Sequence, residues 1–204
     1  MRRILICTAI VLPLLTAAPT CYAHVRPAKH ASCPALKHAL VADAQAEVYE
    51  TEGRSEREMF ACAYASGHAY PLGPKPEPGT SSGGGGVEKV TLSGSVVGYE
   101  EFVVRTEGSS RWTVIVRDLR TGRVLHRADS TGSFVQDIVL KSDGAVAWIV
   151  DTSFLPEEHA VVALDKTGTR TLASGRGVEA SSLALAGSTL YWTQAGKPFS
   201  AVLN

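Results

Sequence analysis

Two apolar runs flank a polar break in residues 137–150, DIVLKSDGAVAWIV, with Ile138, Leu140, Ala145, Ala147 and Ile149 on either side of Asp143 and Gly144. Short apolar runs bounded by turn residues mark strands. An Asp-Gly pair between two such runs predicts a tight two-residue hairpin, because both central residues of that turn must tolerate positive φ. Looser copies occur at 39–50, 89–102 and 182–194, and each copy closes on an aromatic in its second predicted strand. Those aromatics are Tyr49, Tyr99, Trp148 and Trp192, spaced by 50, 49 and 44 residues. Recurrence at that period predicts one sheet-sized unit repeated about four times.

Each unit continues in the same way, through a polar connection and then two more short apolar runs with a Gly-containing turn. The turns fall at Ser66-Gly67, Thr121-Gly122 and Thr167-Gly168, and the fourth unit stops early at PFSAVLN. Residues 33–44, CPALKHALVADA, favour a helix on propensity alone. The repeat assigns part of them to a strand instead, since Val41 stands eight residues before Tyr49 as Leu140 does before Trp148. Between the first two units, residues 73–86 (GPKPEPGTSSGGGG) offer no side chain for a core and predict a flexible connector with a proline-stiffened start. Residues 33–72 make too small a core to stand alone, so the connector is placed inside a single domain spanning 33–204. The predicted fold is all-β: a small antiparallel β-propeller-like array of about four units of four strands, the last incomplete. The alternative is an irregular β-sandwich or half-barrel, which uses the same alternation without a central axis.

At the other end of the chain, Arg2 and Arg3 precede an apolar run at 4–18 that is interrupted by Pro13 and followed by Cys21-Tyr22-Ala23. This predicts a signal peptide of residues 1–23 with cleavage between Ala23 and His24, export by the general secretory route, and a flexible mature start at 24–32. The run falls short of the roughly 20 residues that span a bilayer, so no membrane span is expected in the mature protein. Ala18-Pro19-Thr20 before Cys21 is a poor match to a lipid-attachment signal. Cleavage leaves Cys33 and Cys62, an even pair in an oxidising compartment, and predicts one disulfide; free thiols or a metal site are the alternatives. The 20 basic and 20 acidic residues balance, which gives no attraction for nucleic acid.

A wider similarity is carried by several stretches: the cysteine ahead of the first strand with its partner in FACAY, GGGGVEKVTLSG followed by VGYEE, VRDLRTGRVL, VLKSDGAVAWI, and the ending LYWTQAGKPFSAVLN. With these the chain resembles a group of small, uncharacterised secreted β-propeller-like proteins of actinobacteria. The resemblance covers nearly all of the mature chain and implies a secreted propeller-like body with no assigned activity. VRDLRTGRVL and VVALDKTG are also similar to blade segments of larger periplasmic and quinoprotein propellers, whose ligand-binding residues have no matching positions here.

Catalytic motifs are present only in outline. Residues 79–83 fit GxSxG, but that motif needs a strand feeding a strained turn into a helix, and this copy lies in the connector. The six histidines show no metal-ligand spacing, and none pairs with the cysteines in a zinc pattern. A free terminal HVRPAKH could bind copper or nickel only incidentally. Asp118 and Asp165, near the ends of third strands, are expected to bond the turns that follow. The four repeat aromatics are expected to pack sheet on sheet rather than form a sugar platform. No catalytic residue, metal or cofactor is assigned. The expected function is a secreted, monomeric, non-enzymatic binding or scaffolding module for an unknown protein or glycan partner. The alternative is an extracellular hydrolase or lyase with loop-borne residues. Binding is expected on the face where second and third strands connect, through ETEGRSERE, RTEGSSR, DTSFLPEEH and TQAGKP, with Arg54, Arg57, Arg111, Phe154 and Glu157 as contact residues.

Overall fold

The computed structural model describes residues 33, 39–52, 56–76, 85–104, 110–152 and 158–204. The predicted signal segment, the mature start, the GxSxG stretch and the contact residues Arg54, Phe154 and Glu157 lie outside the described residues. Among those described, the chain forms strands and no helix. The first sheet holds β1 (Ala39–Ala42), β2 (Ala46–Glu52), β3 (Arg57–Ala63) and β4 (His68–Pro74). The second holds β5 (Gly86–Ser93), β6 (Val96–Val104), β7 (Ser110–Asp118) and β8 (Val124–Asp129). The third holds β9 (Val135–Leu140), β10 (Val146–Asp151), β11 (His159–Asp165) and β12 (Gly168–Gly175). The fourth has three strands, β13 (Ala184–Ala186), β14 (Thr189–Gln194) and β15 (Lys197–Val202). Every sheet is an antiparallel meander in chain order, and among the described residues no strand of one sheet pairs with a strand of another.

The middle strands explain the stacking. β10 (VAWIVD) and β11 (HAVVALD) are buried along nearly their whole length, which requires cover on both faces of the third sheet. The covers are the second and fourth sheets. Trp148, Val150 and Val162 pack with Val96, Val114 and Val116 of the second sheet, while Ala147, Ile149 and Val161 pack with Leu190, Trp192 and Leu203 at the other side. A third cluster joins the first two sheets through Val48, Met59 and Ala61 against Val97, Tyr99 and Ile115. Tyr99, Trp148 and Trp192 therefore each pack on the sheet before their own. Tyr49 has no preceding sheet and packs instead on Cys33, Cys62 and Phe60. All four aromatics are buried, as core residues should be. The disulfide Cys33–Cys62 is formed, with Cα atoms 5.9 Å apart, and ties the chain ahead of β1 to β3.

This face-to-face stack of meanders is a β-propeller-like array, and it is open. No core cluster among the described residues joins the fourth sheet to the first, and Tyr191 and Val202 on the outward side of the fourth sheet are 42% and 56% exposed.

Three local expectations are corrected. The hairpin at Asp143-Gly144 is not a two-residue turn: Lys141 N bonds Ala145 O, Gly144 N bonds Lys141 O, and only Gly144 takes positive φ (98°). A three-residue loop with glycine in the bulge position suits the strand twist without asking positive φ of Asp143, whose carboxylate caps Ala145 N instead. The connection TQAGKP is not a long loop, since Gln194 pairs with Lys197 across Ala195 and Gly196, both at positive φ. The connector is also shorter than 73–86, because Gly73 and Pro74 end β4 and Gly86 begins β5. Glycine is obligatory at Gly122: φ is 73°, and an added Cβ would overlap the Tyr70 ring, which the first sheet inserts under this turn.

Candidate functional site

Antiparallel meanders return every second-to-third-strand connection to one end of the stack. Arg57 and Arg111 stand at this end, where β3 and β7 begin. Neither hangs over an empty rim: Arg57 donates to Glu50 Oε2 at 3.1 Å, Lys75 bonds the other oxygen of Glu50, and Arg111 Nε lies 3.6 Å from Asp129 Oδ2. The fourth sheet contributes only its tight turn.

The most distinctive geometry at this end lies over the seam between the second and third sheets, and the predicted contact residues do not include it. The link from β8 to β9, residues 130–134, is fixed from three sides. From below, Trp148 Nε1 donates to Ser130 O at 2.9 Å. From the third sheet, Ser133 N donates to Asp151 O at 2.9 Å and Asp151 N to Phe134 O at 3.1 Å. From the second sheet, the carboxylate of Glu100 accepts the N–H of Val135 at 2.9 Å. The link is also strained: Thr131 sits at φ 68°, a region that β-branched residues avoid. Strain of this kind costs about 1–3 kcal/mol and persists only where surrounding contacts over-determine it. Its product is a presented ring. Phe134 is 42% exposed and meets Trp112 edge to face, with centroids 5.3 Å apart.

Beneath the two rings is Glu100, fully buried. In β6 the alternation puts Val96, Gly98, Glu100 and Phe102 on the side facing the third sheet, and Phe102 pairs with Trp112 while Glu100 pairs with Val114. Glu100 and Trp112 are thus diagonal neighbours on one face, about 7–8 Å apart along the ladder. Burial pushes the Glu100 carboxyl up to about 7, against the bond from Val135 N–H, which favours the ionised form. Glu100 Oε2 has no hydrogen-bond partner among the described residues, and neither does Trp112 Nε1.

On the far side of the third sheet, His159 Nε2 lies 3.2 Å from Asp151 Oδ1 and its Nδ1 lies 2.8 Å from Val178 O, while Gln136 donates to Asp151 Oδ2 at 2.7 Å. Asp118 and Asp165 behave as predicted from sequence. Asp118 accepts from Arg120 N and Thr121 Oγ1, and Asp165 from Thr167 N and Thr167 Oγ1. Two hydrogen bonds from the Arg170 guanidinium, with further help from Thr167 and Asn204 N, hold Asp165 well below the usual carboxylate range. These carboxylates serve turns, one per sheet, and do not converge.

At the opposite end of the stack, a cleft of about 440 Å³ opens between β5, β9 and β13, with Thr91, Ser93, Lys141, Ser142 and Leu185 in its wall. Its one cation is committed, since Lys141 Nζ bonds Asp143 Oδ2 at 2.9 Å and Leu203 O at 3.0 Å. No group of three or more potential metal ligands occurs among the described residues, and no described helix is long and apolar enough to cross a membrane.

No protein-family model and no curated protein matches the chain. Among solved structures, two are similar to part of the chain. The β-propeller domain of the Trilobed protease from Pyrococcus furiosus, described as having an open velcro topology, is similar over 55% of this chain at 12% identity and a TM-score of 0.44. TolB from Acinetobacter baumannii is similar over 76% of this chain at 17% identity and a TM-score of 0.39. The chain spans 35% and 39% of the length of those two proteins.

Proposed function

We propose that this protein is an exported, non-enzymatic binding or scaffolding module that takes its partner on the face where second and third strands connect. One observation carries the reading. The Trp112–Phe134 pair, with Phe134 exposed, stands at that face on a link fixed from three sides, and a presented aromatic surface is what recognition uses. Export is supported by residues 1–23 and by the Cys33–Cys62 disulfide, which belongs in an oxidising compartment.

A hydrolase or lyase would need a base or acid free to meet a substrate. His159 offers neither ring nitrogen, because one faces Asp151 and the other faces a carbonyl. Glu100 has a carboxyl in a suitable range, but one of its oxygens already accepts from Val135 N–H and no free second carboxylate stands with it among the described residues. The nearby Asp151 is engaged by Gln136 and His159, so a pair of working carboxylates is not assembled.

The test is a pull-down from culture medium with the mature protein and with a variant in which Arg54, Arg57, Arg111, Phe154 and Glu157 are all alanine. Association should be lost while the fold is kept. A partner that binds both forms equally would place the site elsewhere.

A further inference from the structure

Two buried polar atoms without a partner among the described residues, Trp112 Nε1 and Glu100 Oε2, belong to diagonal neighbours on the face of the second sheet that meets the third, next to the exposed Phe134. Trp112 Nε1–H can only donate, and Glu100 Oε2 is a carboxyl oxygen whose twin already accepts from Val135 N–H. Leaving both unmet is costly, because each group has given up its water without a replacement partner. A hydroxyl is the common neutral group that carries a donor and an acceptor on one atom, so one hydroxyl can serve both without burying a further charge. A peptide amide separates its N–H and C=O onto opposite sides and would have to bring its main chain into the seam. Around this point the protein offers Phe134, 42% exposed, set edge to face against Trp112. Apolar ring faces beside a polar anchor suit a ligand that has an aliphatic C–H face and hydroxyls at its edge.

We propose that the top of the seam between the second and third sheets is a saccharide site, in which one sugar hydroxyl accepts from Trp112 Nε1–H and donates to Glu100 Oε2 while the sugar ring lies on Phe134. The proposal rests on the binding-face reading above and assigns it a ligand class. Phe134 is the part that must yield. It has an outer side exposed to solvent and belongs to a link between strands, so a rotamer change admits the hydroxyl without moving either sheet.

The experiment is isothermal titration of the mature protein with four neutral tetrasaccharides: cellotetraose, maltotetraose, mannotetraose and the N-acetylglucosamine tetramer. Trp112→Phe and Phe134→Ala are measured beside the wild type. At least one sugar should bind. Trp112→Phe keeps a ring and removes only the N–H donor, and should weaken binding by about tenfold, the effect of one hydrogen bond. Phe134→Ala changes a residue exposed enough to leave the fold intact, and should weaken it by about tenfold or more through lost stacking. The fold of each variant is verified by its circular dichroism and melting curve. Absence of heat with all four sugars would overturn the proposal and leave the two groups to buried water. Binding that both variants retain in full would overturn it too, by placing the sugar elsewhere. A protein partner captured in the pull-down, lost on the five-alanine change but indifferent to Trp112→Phe and Phe134→Ala, would overturn the saccharide site while leaving the binding face standing.

Discussion

Glu100 gives the fold a pH dependence that can be measured. Its carboxyl ordinarily titrates near 4.5 and is pushed up to about 7 by burial in the folded protein. Below about pH 4 both folded and unfolded chains carry the proton, and Glu100 contributes nothing to the pH slope. Between about 4.5 and 7 the unfolded chain has released the proton and the folded chain still holds it, so stability falls as pH rises. Above 7 both are ionised, and the loss is complete. A difference of about 2.5 pH units corresponds to about 3 kcal/mol. For a chain of this length that shifts the melting temperature by about 6–12 °C. The perturbation is Glu100→Gln, which keeps an acceptor for Val135 N–H and cannot ionise. Melting should be followed by circular dichroism from about pH 5 to about pH 8.5 in wild type and variant. The carboxylates held low, Asp118, Asp143 and Asp165, lose their contribution only as pH falls into the acid range, so they do not shape this window. The wild-type curve should descend relative to the variant's, with the steepest divergence at about pH 5.5–6, midway between the two titrations. Parallel curves would refute the reasoning, because they would mean that the carboxylate pays no desolvation cost where it stands.

Trp148→Ala should cost about 3–5 kcal/mol in denaturant unfolding, since it removes a fully buried ring and leaves Ser130 O without its indole donor; a loss under about 1 kcal/mol would show that the ring is not in the core. Thiol titration of the unfolded, unreduced protein should find no free thiol in the mature chain, and replacing both Cys33 and Cys62 by serine should lower stability by about 3.5 kcal/mol, the chain-entropy value for their separation. Two titratable thiols would end that argument. Intact mass of secreted material should give a chain beginning at His24; a mass that retains residues 1–23 would exclude the cleavage.

Much of the architecture could be read from short apolar runs broken by Gly-containing turns at even spacing, and the repeat aromatics then identified the second strand of each sheet. Turn geometry was less legible. SDG suits a two-residue turn as well as a three-residue loop with a glycine bulge, and what decides between them is the pairing of Lys141 with Ala145, set by register across the whole hairpin. TQAGKP looked like the other polar connections, yet Ala195 and Gly196 accept positive φ and close it in two residues. The seam site was least legible. The alternation in VVGYEEF assigns Glu100 and Phe102 to one face, but sequence does not say that the third sheet covers that face, and only this cover turns a surface carboxylate into a buried one. Trp112 and Phe134 lie outside the repeat positions, 22 residues apart, and meet only because the link from β8 to β9 folds back over β7. A carboxylate inside an otherwise apolar strand register was the available signal.

The ends of the stack show what an open array demands. Inside it, each repeat aromatic lies on the sheet before its own, so the first sheet has an aromatic with nothing to lie on. Tyr49 is nevertheless only 2% exposed, stacked on Phe60 at 5.8 Å with the Cys33–Cys62 pair beside it. The disulfide thus holds Cys33 against Tyr49, where a preceding sheet would otherwise lie, in addition to restricting the unfolded state. The fourth sheet meets the opposite problem, an edge strand without a neighbour in its sheet. Leu203 N bonds Ser188 O, and the pairing alternates from there, which turns Pro198, Ser200 and Val202 outward along β15. Pro198 has no N–H to offer, and Val202 O is taken by Arg170 at 2.8 Å. A strand adding itself to this edge would lose bonds at both ends, so the edge resists pairing between copies without being covered. Association along β15 is therefore disfavoured by the backbone itself.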